Sequence, residues 1–245
     1  MSATTNQPVL ANSGNYRMID AVRGLASLWV VFFHAWHLLL MPAGRTVLSE
    51  AAAESPWLFL LRHGNLGVSV FFVVSGYCIS NAAVSGINRP WAAAKFAYAR
   101  LRRILPPCWA SLVCFMAASV LAVWWDQRHG TPGSTSLSRL NLAHQSWQFY
   151  VSNFTLTQVV WGQNFISVVC WTLCYEAAFY LVVGVVLVAV RGLLPDSMGR
   201  YRAAALLSVL HGVTVVCGWF LILSPAALPY PFDLWMQFGL GVAVF

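Results

Sequence analysis

The chain has 245 residues, of which 59% are hydrophobic and only 9% charged, and its net charge is +7. A soluble domain carries about 25% charged residues, so the composition excludes an ordinary soluble globular protein and makes lipid the solvent for most of the chain. The positive charges are few and sit mainly in short loops, which reads as topology information and not as a nucleic-acid surface.

Residues 1–15 form a polar tail, and the stretch "MSATTNQPVLA" lacks the basic region and cleavage pattern of a signal peptide. Segments long enough to cross about 30 Å of hydrocarbon are predicted at about 17–40, 64–83, 104–125, 165–190 and 203–223. A sixth begins near Pro231 and is interrupted by the chain end at Phe245. The expected fold is an all-α polytopic membrane bundle with about five complete spans and a truncated sixth. The segment 145–160 is apolar and aromatic but short, and is expected to lie in the interface or to re-enter. The loop 126–164 is polar and has the composition of a loop that meets a polar substrate.

With a cytoplasmic N-terminus, nine basic residues fall on the cytoplasmic side and four outside, with Arg23 inside the first span. The expected location is the inner (cytoplasmic) membrane, crossed several times. The six cysteines lie in or beside apolar runs with no zinc spacing, and neither a disulfide framework nor a metal is expected.

The first span, "IDAVRGLASLWVVFFHA", carries Asp20, Arg23 and His34. At about 100° per residue, Arg23, Ser27 and His34 fall within about 60° of Asp20, so the four share one narrow stripe. Arg23 and His34 are about 16 Å apart along the axis. Such a stripe is expected to face a bundle interior or cavity, although an interfacial Asp20–Arg23 ion pair is the plainer alternative. His37 lies off the stripe and reads as interfacial.

In the fourth span, "WTLCYEAAFY" puts Glu176 near mid-membrane with Tyr180 one turn away. An intramembrane carboxylate has to be protonated, paired or beside water. No Lys or Arg occurs in that span, so its partner is expected from another helix, with His34 the best candidate. A His–Glu pair is the arrangement a general base needs. The segment "KFAYARLRRILPP" is expected to be helical up to Pro106, with Arg100, Arg102 and Arg103 where the third span enters the membrane. These arginines read either as an anchor to anionic lipid or as a phosphate site. In the second span Gly67, Ser69, Ser75 and Gly76 permit close approach of a neighbouring helix. Asp233 has no assigned role.

Taken together, four motifs resemble the membrane-bound acyltransferase-3 family. They are the Asp–x2–Arg–Gly opening with His34 eleven residues after Arg23, "GVSVFFVVSGYCIS", the Arg–Leu–x–Arg–Ile–x–Pro pattern at Arg100, Arg103 and Pro106, and Trp–x4–Glu–x3–Tyr at Trp171, Glu176 and Tyr180. They occur in the family's order, but members have about ten spans, so residues 16–245 are expected to be an acyltransferase domain incomplete at its C-terminus.

The resemblance implies acyl transfer, commonly of acetyl, from a cytoplasmic acyl-CoA co-substrate to a hydroxyl of an extracytoplasmic or membrane-borne glycan, with no permanently bound cofactor and no metal. It makes His34 the key residue, as general base or as a transient acyl-imidazole. Glu176 would orient it, while Asp20, Arg23, Arg100 and Arg103 would serve the donor and Ser75, Trp171 and Tyr180 support the site. A transporter or proton relay is the rival reading of the same residues.

Overall fold

The structure, a computed structural model, describes residues 13–40, 63–130, 137, 141–224 and 228–245; in the first helix, side chains are described for 18–19 and 21–35. The described residues form helices and turns without a strand. Among the described residues the eight α-helices are α1 (Ser13–Leu40), α2 (Leu66–Gly86), α3 (Ala92–Arg128), α4 (Trp147–Thr155), α5 (Gln158–Trp161), α6 (Cys170–Leu193), α7 (Gly199–Leu223) and α8 (Trp235–Val244). Among the described residues four stretches are long and apolar enough to cross a membrane, namely Leu66–Gly86, Ala92–Arg128, Cys170–Leu193 and Asp196–Leu223, with shorter apolar helices at Ala21–Ala35 and Phe232–Val244. The protein is thus a multi-pass helical membrane protein. Its backbone groups are satisfied within helices because lipid offers them no hydrogen bonds.

The chain divides into two compact units, residues 1–76 and 77–245. In the first, α1 packs on the start of α2. A side chain at Gly67 would come within 2.8 Å of the Ala26 carbonyl oxygen and 2.9 Å of Val30, so only glycine fits this approach. Between lipid-facing helices association rests on close packing and not on hydrophobic burial, which is why small residues mark the seam.

In the second unit, α6 packs against α3 and α7, and α8 packs on α7. Phe179 stacks on Phe238 with centroids 4.5 Å apart and tilts against Trp235 at 4.9 Å, and Leu206 and Leu210 of α7 are fully buried. Trp235 donates its indole N–H to Thr214 at 3.2 Å, satisfying the polar edge of a buried ring.

One feature differs from the sequence expectation. The third helix does not begin at 104. It begins at Ala92 and runs for 37 residues, about 55 Å, straight through Pro106 and Pro107. Each proline removes a backbone donor, but a membrane helix can tolerate the loss when its freed carbonyls find other partners; both prolines lie on exposed positions. The basic segment and the span are therefore one rod, and Arg100 comes to lie near the middle of α6.

The segment 145–160 becomes α4 and α5, which contact α3 and α6 respectively. At nine residues, α4 covers only about 14 Å and cannot span. Ser146 caps α4 by accepting from the Phe149 N–H, and the buried Leu156 ends it in a left-handed conformation. Asn153 holds the pair of short helices together. Its amide donates to the carbonyls of Phe149 (2.8 Å) and Asn164 (3.0 Å), and its oxygen accepts from Gln158 (3.1 Å) and the Ile166 N–H (2.9 Å). Gln158 in turn accepts from the Cys174 thiol at 3.0 Å, joining this hairpin to α6. Asn153 and Gln158 are fully buried, so each of these bonds offsets the cost of taking an amide out of water.

Candidate functional site

In the first unit the seam of α1 runs through Ala26, Val30 and Phe33, which meet Gly67 and Gly64. Ser27 and His34 lie about 80–100° around the helix from Ala26, beside this seam and not in it. Both are exposed, and the His34 ring meets Phe33 edge-on at 5.3 Å. Arg23 is closer to the seam. Its guanidinium stands over the Phe71 ring of α2 at 5.5 Å, and its carbonyl accepts from Ser27 at 2.9 Å. Ser75 is buried on α2. The side chains of Asp20 and His37 lie outside the described residues.

The second unit brings three of the candidate residues together. Glu176 is 5% exposed and accepts a hydrogen bond from Tyr180, also on α6, at 2.5 Å. The spacing of four residues puts both groups on one helix face. From α3, the Arg100 guanidinium lies 5.9 Å from the Tyr180 ring and 5.5 Å from the Phe96 ring, a cation–π arrangement in which one cation is shared by two aromatics. The Nε of Arg100 is buried with no hydrogen-bond partner among the described residues. Arg103 is exposed and lines neither of the cavities beside Arg100.

One of those cavities is an apolar groove of about 500 Å³ between α3 and α6. Its walls are small or aliphatic residues such as Ala97, Ala177, Gly184 and Val188, and its polar wall groups are Arg100 and Tyr180. The volume is that of an ordinary small-molecule site. From Ala189 to Ala177 the groove follows α6 for about 18 Å, with Tyr180, the tyrosine that holds Glu176, in its wall beside Arg100.

Toward the start of α6, Trp171 meets Tyr175 edge-on at 5.8 Å. Tyr175 donates to the Asp233 carboxylate at 2.7 Å, and Tyr230 donates to the Cys174 carbonyl at 2.6 Å. Asp233 thus acquires a hydrogen-bond partner that sequence reasoning had not assigned. The cysteines Cys78, Cys108, Cys114, Cys170, Cys174 and Cys217 are all free thiols.

At the other end of α6, Arg202 is 3% exposed and donates to the Leu194 carbonyl at 3.0 Å, to that of Arg191 at 3.3 Å, and to Asp196. The Arg202 guanidinium holds the Asp196 carboxyl below its usual pKa. Arg191 donates to the Ile87 carbonyl, fastening the α2–α3 turn to α6. The basic residues at this end therefore have distinct roles, which a count of charges does not separate.

A family model described as an acyltransferase domain, that of the acyltransferase-3 family, matches residues 16–155, more than half of the chain. A protein of Komagataeibacter xylinus described as a membrane-bound transacylase, BcsY, is 28% identical over 233 residues, covering 93% of this chain and 50% of that protein. Nodulation protein 10 of Rhizobium leguminosarum bv. viciae is 26% identical over 178 residues, covering 69% of this chain and 44% of that protein. The chain thus spans about half the length of the curated relatives it matches. No solved structure matches it. With the motifs of α1, α2 and α3 inside the matched region, the chain belongs to the acyltransferase-3 family.

Proposed function

We propose that the protein transfers an acyl group, acetyl in the first instance, from an acyl-CoA donor to a hydroxyl of a carbohydrate at the far side of the inner membrane. The observation that carries this reading is the groove between α3 and α6, whose wall brings Arg100 together with Tyr180, the donor to Glu176. A thioester donor is long and narrow, with phosphates at one end and its reactive carbon at the other. Arg100 suits the charged part, and the apolar groove suits the arm behind it. The family's motifs and the relative described as a membrane-bound transacylase support the same chemistry.

In this reading His34 takes the proton of the acceptor hydroxyl, the oxygen attacks the thioester carbonyl, and the carbon–sulfur bond breaks. The coenzyme leaves as thiolate and is reprotonated. An acyl-imidazole on His34 is the two-step version of the same transfer. Glu176 is the positioning carboxylate, with Tyr180 fixing its orientation, and Asp20, Arg23, Arg100 and Arg103 serve the donor. In this reading the N-terminus is cytoplasmic.

The test is acyl release and transfer from labelled acetyl-CoA by purified protein in lipid nanodiscs. His34→Ala is expected to lower the rate by at least about 100-fold, the scale of a lost general base. Equal rates for wild type and His34→Ala would remove His34 from the chemistry, and no acyl release from wild type would overturn the reading itself.

A further inference from the structure

The α2–α3 turn and the first turns of α3 build a second cavity. Ala92, Phe96 and Ala99 recur at helical spacing and form a stripe along α3, and Lys95 and Arg100 flank that stripe on opposite sides. Arg89 projects from the turn that follows α2. These three cations share a cavity of about 170 Å³ with Ala82, Gly86 and Leu187. No acidic residue lines it, and none of the three cations forms an ion pair among the described residues. The α3 helix starts here at Trp91 with no side-chain cap, so the positive end of its backbone adds to the same field.

Three cations around one cavity with no acidic residue in its lining repel one another, and an anion relieves the repulsion. Arginine forks and a lysine ammonium are suited to phosphate oxygens. Arg100 also lines the apolar groove, so the two cavities adjoin through one side chain.

We propose that Arg89, Lys95 and Arg100 form a phosphate-binding site, taking the phosphate of a ligand whose less polar arm enters the α3–α6 groove. Two sources carry that chemistry, a phosphorylated acyl donor and the headgroup of an anionic phospholipid; the first rests on the acyl-transfer reading above.

The experiment is equilibrium binding of labelled coenzyme A to the purified chain in phosphatidylcholine nanodiscs, without turnover, with inorganic pyrophosphate as competitor. Arg89→Gln and Lys95→Gln are each expected to weaken binding about tenfold or more, as removal of a charge-assisted contact does. Arg200→Gln removes an exposed charge that lines neither cavity and is expected to change binding less than about twofold. Arg89→Lys and Lys95→Arg keep the charge and are expected to retain most of the binding, which separates a lost contact from a misfolded chain.

Adding phosphatidylglycerol to the nanodiscs distinguishes the sources: displacement of the coenzyme marks a lipid headgroup site, and persistence marks a donor site. Binding by Arg89→Gln and Lys95→Gln equal to that of Arg200→Gln overturns the proposal. Phosphate binding through these residues in a protein that never transfers acyl groups would refute the acyl-transfer reading alone.

Discussion

Arg191 and Arg202 differ from Arg89 and Lys95 in what surrounds their charge, although all four belong to one end of the second unit. Arg202 is buried, saturated by two backbone carbonyls and Asp196, and it closes the α6–α7 connection. Arg191 ties the Ile87 carbonyl of the α2–α3 turn to α6 and lies 3.9 Å from Asp196. Arg89 and Lys95 have no ion pair among the described residues and face a cavity shared with Arg100. The first pair builds the platform that positions the second. Counting positive charges sets orientation, but it does not distinguish a cation used by the fold from one left for a ligand.

The sharpest way to break this contrast is Arg202→Gln. It leaves the Leu194 and Arg191 carbonyls short of donors in a nearly closed site, and is expected to cost about 2–3 kcal/mol of stability, read as a lower unfolding midpoint in detergent. An unchanged midpoint would make Arg202 a surface charge and erase the distinction.

Asp196 should matter less, because its side chain is 85% exposed and its pairing is screened by solvent. Its carboxyl pKa is lowered by Arg202 in the folded state. The stability it contributes is therefore present above the unfolded value of about 3.9 and is lost as pH falls through the folded value. Wild type should lose its small advantage over Asp196→Asn on acid titration below about pH 4; parallel midpoints across that range would show that the pair does no more than crowd the turn.

The smallest effect is expected on the other side of the contrast. Arg89→Gln and Lys95→Gln should change the unfolding midpoint by less than the equivalent of about 0.5 kcal/mol, or raise it slightly by relieving repulsion. A large loss of stability in either would place these residues with Arg202.

Much of the architecture was legible along the chain. Apolar runs located the four described stretches that are long enough to cross a membrane, and Gly67 was read as a close-approach position, which its contact with Ala26 bears out. Glu176 stood out because a carboxylate in an apolar helix needs a partner. Tyr180, on the same helix and already part of the motif, donates a hydrogen bond to it. The prolines after Arg103 were read as the limit of the basic helix, whereas the helix continues through them. The Asn153–Gln158 network left little trace in the sequence, since its members lie on two short helices and a loop whose pairing is not periodic.

The sequence by itself determined that the chain is helical, that it lives in lipid, and which polar residues share a helix face, because these follow from composition and from the local period of 3.6 residues. Tertiary structure decided that Arg100 lies beside the middle of α6 and not at the entry of a span. It also decided that Arg89 and Lys95 line a cavity with Arg100 that Arg103 does not line. Those facts depend on the relative register of α3 and α6 and on the path of the α2–α3 turn, which are set by packing between helices and not by the period of any one of them.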